Sequence, residues 1–222
     1  MKKFTIKANE YLDKDTTAYF NYDYIAKNMD DDIYSVGSMI RILKNTFNKE
    51  SVDNLNEAKK RIKDIMVGNI PTIIKENKLT SCVIIVIPRA KQKAEYFRNQ
   101  LFFIVAVSEA ARDINCIDGT NCIERIENTK TTHLRRNVGR ETINGTIHKG
   151  ENSNDGDMPY PGILRNTCKI DCKLIENKDI VLVDDIYTEG VNIDEDAIQT
   201  LYEYGAKKVI FYSIAKTKRF NI

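Results

Sequence analysis

The spacing of apolar positions along this chain changes several times, and each change marks an element. Near the N-terminus Phe4, Ile6 and Ala8 alternate with polar residues, the period of a short half-buried strand. Residues 17–24 are rich in aromatic side chains and lead toward the acidic run Asp30, Asp31 and Asp32, which reads as a solvated loop. From Val36 the period becomes helical, with Ile40, Leu43 and Phe47 on one face and Arg41 and Lys44 beside them. Leu55, Ala58, Ile62, Ile65 and Met66 form a second amphipathic stripe, and Pro71 is expected to kink or end that helix. Residues 82–87, Cys-Val-Ile-Ile-Val-Ile, make a continuous apolar run of the kind found in strands covered on both faces. The run meets Pro88, Arg89, Ala90 and Lys91, and a helix follows with Leu101, Ile104, Val105 and Ser108 along one side. A second such run, Ile180 to Val183 by position, is stopped by the acidic pair Asp184 and Asp185. Beyond Thr188, Gly190 and Asn192 the helical period returns in Ala197, Ile198, Leu201 and Tyr204, and Gly205 is a natural residue just past a helix end. Residues 209–214 give one more core strand, ended by Ala215, Lys216 and Thr217.

Bulk properties narrow the class. A chain of 222 residues is one large domain, or a domain with an extension, and can bury a sizeable core. With 34 Lys plus Arg against 32 Asp plus Glu, nothing supports general binding to nucleic acid, so any polyanion site has to be local. Residues 1–11 hold no apolar signal core and no stretch approaches a membrane span, so a cytoplasmic location is expected. Five cysteines without a secretion signal suggest free thiols rather than a disulfide framework. Neither Cys116 with Cys122 nor Cys168 with Cys172 has Cys-x-x-Cys spacing, so no zinc site is expected. Residues 151–162 read as a polar, Pro/Gly-punctuated loop, in which Asp155 and Asp157 lack the rest of a calcium loop.

The candidate chemistry lies in residues 179–192: strand, acidic pair, glycine-containing loop, helix. In an open α/β sheet ligands bind beyond the carboxyl ends of the strands, and loop N–H groups with a helix N-terminus supply an anion site there. This segment resembles the phosphoribosyl pyrophosphate (PRPP) motif of type I phosphoribosyltransferases. The resemblance implies that Asp184 and Asp185 hold the ribose hydroxyls, with an indirect role toward Mg²⁺. It assigns the 5′-phosphate to the stretch Tyr187, Thr188, Glu189, Gly190, Val191 and Asn192, through its backbone. Pro88, Arg89, Ala90 and Lys91 match the loop that binds pyrophosphate.

Further elements are similar to the ComF-like branch of that family. Tyr96-Phe97-Arg98-Asn99-Gln100 resembles its Arg-Gly-Phe-Asn-Gln signature, with the Asn-Gln ending kept. Residues 34–44 match a segment carrying a Tyr, an apolar helix and a Lys. Thr129, Lys130, His133 and Leu134, then Arg140, Asn144 and Gly145, resemble two further elements. The resemblance covers roughly residues 34–217. No cysteine precedes Cys82, so the N-terminal zinc ribbon of many relatives is not expected. The basic stretch 130–150 holds Lys130, His133, Arg135, Arg136, Arg140 and His148, and matches a flexible loop that closes over the site. Arg135, Arg136 and Arg140 are its candidate catalytic cations, suited to neutralising a departing pyrophosphate.

The expected architecture is therefore α/β with the type I phosphoribosyltransferase fold, a central mainly parallel sheet with helices on both faces. Residues 1–35 are read as an N-terminal extension and 36–222 as the phosphoribosyltransferase-like domain. The expected function is Mg²⁺-dependent displacement of pyrophosphate from ribose C1 of PRPP by an unidentified acceptor. A homodimer is left open, nucleic acid is not favoured as a partner, and no membrane is expected. Two positions depart from the family pattern, Glu189 where a small residue is usual and Asn192 where Thr or Ser is common. Two like charges about 4 Å apart repel by roughly 1 kcal/mol in water and about 4 kcal/mol near a protein surface, so Glu189 opposes phosphate unless it points away or pairs with a lysine. Glu189 and the lack of a base-binding signature motivate the alternative of a PRPP- or nucleotide-sensing protein without turnover. A nucleic-acid accessory role linked to DNA uptake rests on family association alone.

Overall fold

In the computed structural model, which describes residues 1–25, 35–129, 140–143, 146–149 and 164–218 (140–143 and 146–149 as backbone alone), the elements follow one another as β1 (Lys2–Ile6), β2 (Thr16–Tyr24), α1 (Val36–Lys44), α2 (Val52–Asn77), β3 (Val83–Val86), α3 (Phe102–Asp113), β4 (Ile117–Asp118), β5 (Ile123–Arg125), β6 (Arg140–Ile143), β7 (Thr146–Lys149), α4 (Leu164–Thr167), β8 (Cys168–Ile170), β9 (Asp179–Tyr187), α5 (Ile193–Glu203) and β10 (Lys208–Thr217). Six strands form a central mixed sheet in the order β1-β2-β10-β9-β3-β4. Only β1 is antiparallel to its neighbour; the pairs β2–β10, β10–β9, β9–β3 and β3–β4 are parallel. The two apolar runs lie side by side, with Val83 opposite Ile180 and Val86 opposite Val183.

A parallel strand is covered on both faces, which is why these runs are apolar throughout. Ile84, Val86, Val181, Val183, Ile210 and Tyr212 point to the layer of α1, α2 and α3. Their neighbours Val83, Ile85, Ile180, Leu182, Val209 and Phe211 point to the opposite face, where α5 contributes Ala197, Ile198 and Leu201. From β3 the chain crosses through α3 outward to β4, and from β9 it crosses through α5 the other way to β10. The connections therefore diverge between β3 and β9. That is the switch point of the sheet.

Several elements depart from the expectations drawn from spacing. Residues read as an N-terminal extension supply two strands of the central sheet: β2 continues it beyond β10, with Ala18 opposite Phe211, and β1 closes the edge. Helix α2 neither ends nor breaks at Pro71 but runs to Asn77 and stops at Lys78, which is in the left-handed conformation. An interior proline costs about 3 kcal/mol. Ile70 and Ile73 flank it fully buried, and each contributes about 1.5–3 kcal/mol, enough to carry the helix past it. Phe47 does not join the buried face of α1. That helix ends at Lys44, Asn45 turns left-handed, and Phe47 is 60% exposed. In α3 the buried face is Ala106, Val107, Ala110 and Ala111, whereas Val105 is exposed. Small side chains let α3 approach its neighbours closely, and the bulkier Leu101 and Ile104 are turned to a cavity.

Gly205 stands where its left-handed φ of +86° completes a Schellman ending of α5, with Gly205 N–H bonded to Tyr202 and Ala206 N–H to Leu201. Gly119 follows β4 so tightly that a Cβ would lie 2.6 Å from Val83 Cγ1. All five cysteines are free. Among the described residues no helix is long and apolar enough to cross a membrane.

Candidate functional site at the ends of β3 and β9

The ladder between β3 and β9 closes with Ile87 N–H donating to the Val183 carbonyl at 3.1 Å. The next residue is Pro88, which has no N–H to donate, so the two strands part there. On its other side β9 stays paired with β10 as far as Tyr187 opposite Lys216. The acidic pair thus lies inside the strand rather than ending it, because β10 supplies backbone partners regardless of side-chain polarity. Asp184 and Asp185 stand where β3 has left and β9 continues, next to the 88–91 loop.

Successive strand side chains point to opposite faces, so the two carboxylates have different surroundings. Asp185 points toward α1. Its Oδ2 is 2.6 Å from Lys44 Nζ, in a pair whose side chains are 11% and 33% exposed. Burial opposes the Lys44 ammonium, but Asp185 and Asp184 outweigh it and hold its pKa above the ordinary lysine value. Lys44 is the last residue of α1, and its position is fixed by a clamp. Buried Gln100 donates through Nε2 to the carbonyls of Asn45 (3.2 Å) and Thr46 (3.1 Å) while its Oε1 accepts from Phe97 N–H. Arg89 Nη1 donates to the Lys44 carbonyl at 2.7 Å and to the Gln100 carbonyl. Of the Asn-Gln pair in the sequence, Gln100 thus holds the end of α1 through its side chain, and Asn99 through its backbone carbonyl, which accepts from Asn45 Nδ2 at 3.3 Å.

Asp184 points the other way, to the first turn of α5. Burial, then Asp185, push its pKa up to about 7, and it is hydrogen-bonded to Asp194. Asp194 is itself buried and raised well above the carboxylate range, first by burial and then by Asp184. Beyond burial, both pKa values are raised because two carboxylates in contact repel unless a proton lies between them. The next two residues of that turn are also buried acids held by the protein. Glu195 accepts from the Tyr187 hydroxyl at 2.8 Å, and Asp196 accepts from Leu164 N–H at 3.3 Å.

The loop 188–192 connects this strand end to α5. Gly190 and Asn192 both have positive φ, +80° and +62°. Thr188 Oγ1 lies 2.7 Å from Thr217 Oγ1 at the end of β10, and Asn192 Oδ1 accepts from Asn9 Nδ2 at 3.2 Å. Glu189 meets one of the conditions under which it would spare a phosphate: its Oε2 is 3.9 Å from Lys216 Nζ, and its side chain is 67% exposed. Tyr187, grouped with this loop from sequence, belongs to β9. Its ring is buried against Phe4 and Phe211, so its side chain faces the core.

Of the 88–91 loop, Lys91 N–H is taken by the Tyr96 hydroxyl at 3.0 Å and the Ala90 carbonyl by Thr129 N–H at 2.7 Å. Arg89 stacks on Tyr96 at 4.4 Å. Arg135 and Arg136 lie outside the described residues, as do Lys130 and His133, and Arg140 opens the hairpin strand β6, described by its backbone alone. Among the described residues no group of three or more His, Cys, Asp or Glu is placed to hold a metal ion. Asp185 is paired with an ammonium and Asp184 lies against another acid.

Two participants escape sequence reasoning in its own terms. Lys44 entered only through resemblance, since a lysine at a helix end is ordinarily solvated. Asp194 shows no signal at all, because a carboxylate in a first helical turn is what helix energetics favours anyway. No protein-family model matches the chain, and a search of curated proteins finds no match for it.

Proposed function

We propose that the protein is a phosphoribosyltransferase of the ComF-like kind, with the type I phosphoribosyltransferase fold, that binds PRPP in the crevice between β3 and β9. The observation that carries this reading is the convergence of two loops, 88–91 and 188–192, on the switch point of a parallel sheet, with Asp184 and Asp185 between them. Asp185, steadied by Lys44, accepts a ribose hydroxyl. Asp184 lies on the α5 side of the same sugar, against Asp194. The 188–192 backbone receives the 5′-phosphate at the start of α5. Arg89 and Ala90 N–H groups receive the pyrophosphate.

The reaction displaces pyrophosphate from C1 by an acceptor nucleophile through an oxocarbenium-like transition state. The leaving group is already activated, so the protein's contribution is placement and charge stabilisation. Arg135, Arg136 and Arg140 are assigned to the negative charge that develops on pyrophosphate. Mg²⁺ is read as the counter-ion that PRPP brings rather than as an ion held by the chain, and no step is routed through it. The exposure of Glu189 and its contact with Lys216 weaken one of the two grounds for a sensor without turnover; the lack of a base-binding signature is the other.

The test is a thermal-shift titration with PRPP and Mg²⁺, followed by pyrophosphate release across a panel of acceptors. PRPP at about 100 times its Kd adds roughly 2.7 kcal/mol of stability. Absence of any stabilisation overturns the reading. Stabilisation with no release from any acceptor moves it to the sensor.

A further inference from the structure

On the side of β3 away from β9, next to β4, lies a cavity of about 290 Å³. One part of its wall is apolar, with Val86, Leu101, Ile104 and the Tyr96 ring. The other part is cationic: Arg89, Lys91, Lys93 and Arg125 face one carboxylate, that of exposed Glu124. No residue of β9 lines it, so it is separate from the crevice described above, although both border the 88–91 loop.

Arg125 is the informative residue. It is 9% exposed, and its Nε donates to the Arg89 carbonyl at 2.9 Å and its Nη1 to Thr167 Oγ1 at 2.6 Å. Both acceptors are neutral, and no carboxylate pairs with this guanidinium among the described residues. Burial pushes its pKa down, and the neighbouring Cys168, Tyr96 and Asp196 offset this only in part. A buried charge is costly unless paired, and the fork of a guanidinium matches a carboxylate in two parallel hydrogen bonds. Arg89 is occupied by two backbone carbonyls and by Tyr96, and Lys93 is tied to Asn121 Oδ1 at 3.0 Å, so these add field while Arg125 adds direct bonds. The volume is at the low end for small-molecule sites, enough for one ring system and too small for a nucleotide.

We propose that this cavity is a second ligand site, for a flat aromatic molecule bearing a carboxylate, with the ring against the apolar wall and the carboxylate on Arg125. The proposal does not depend on phosphoribosyl transfer. Nothing in the sequence announces it, since Arg125 is an isolated arginine in an Ile-Glu-Arg strand whose burial arises only when β5 pairs with β8.

The experiment titrates the full chain with benzoate by NMR, alongside benzamide, which lacks the charge, and acetate, which lacks the ring. Benzoate binds at least about tenfold more tightly than either, and Arg125→Gln weakens it by about tenfold or more, the loss of one charged hydrogen bond. Ile104→Trp fills the cavity from a half-exposed helical position without touching the Arg125 bonds. It abolishes benzoate binding at an unchanged unfolding midpoint, and it carries the test if Arg125→Gln does not fold. Equal affinity for benzamide and benzoate overturns the proposal, as does undiminished benzoate binding in Ile104→Trp.

Discussion

On the α1 side of β9 a carboxylate meets a cation; on the α5 side, one residue earlier, a carboxylate meets another carboxylate. Asp185 has Lys44 at 2.6 Å, brought there by a helix end that Gln100 and Arg89 clamp. Asp184 has Asp194 and a shared proton, with burial and Asp185 lifting its pKa to about 7. The pleat of the strand makes this difference, since adjacent side chains must leave on opposite faces. An acidic doublet is therefore two separate groups, one ion-paired acceptor and one acid that titrates near neutrality. Each can be perturbed without the other.

The largest effect expected is from Lys44→Met, which leaves Asp185 without its cation. Breaking a fully buried pair costs about 3–5 kcal/mol; with Lys44 one-third exposed, about 2–4 kcal/mol is expected in urea unfolding at pH 7. A loss below about 0.5 kcal/mol, the range of surface pairs, would put Asp185 on a par with a solvated acid and erase the contrast. Next comes ligand binding. If Asp185 is the ribose acceptor, Asp185→Asn weakens PRPP by about 1.5–3 kcal/mol, measured by calorimetry, whereas Asp184→Asn has the smaller effect. The reverse ranking would exchange the two roles.

Asp184→Asn acts instead on the pH dependence of stability. The folded-state pKa of about 7 lies above the ordinary 3.8, so between those values the folded protein keeps a proton that the unfolded chain has released. Stability is then fully present below about pH 4 and falls as pH rises through 7, by at most about 1.4 kcal/mol per pH unit. Asparagine can accept from or donate to Asp194 without adding charge, so the variant is more stable than the parent by about 1–2 kcal/mol at pH 8, and the gap narrows toward pH 5. Parallel pH profiles for the two proteins would refute the shared proton. The smallest effect belongs to Glu189→Thr. An exposed carboxylate 3.9 Å from Lys216 contributes about 0–1 kcal/mol, so PRPP affinity changes by less than about threefold. A gain of tenfold would mean that Glu189 turns inward on the ligand.

Much of the scaffold around this contrast is legible from composition over a few residues. The runs at 82–87 and 180–183 are apolar at every position, which suits only a strand covered on both faces, and β3 and β9 are such strands. Leu55, Ala58, Ile62 and Met66 recur at helical spacing and line the buried face of α2. Gly205 lies where a helix needs a left-handed residue to finish. Elsewhere the local pattern misleads. Asp184 and Asp185 look like the end of a strand, yet β9 runs on to Tyr187 because β10 runs beside it. The bulky stripe of α3 looks like its core face, yet the alanines make the close contact.

What the sequence determined by itself is what each short stretch requires of its surroundings: burial on one face or two, a cap, a turn, a loop rich in polar side chains and glycine. What the tertiary structure decided is who meets whom. That β2 would extend the sheet beyond β10, that Lys44 would face Asp185, that Asp194 would fold back on Asp184 and that Arg125 would be buried between two neutral acceptors all depend on how the elements pack. A carboxylate or a cation has the same local preference for water wherever it stands. Only the packing of helices and strands sets the distance and the burial that turn that preference into an ion pair, a shared proton or an unpaired charge.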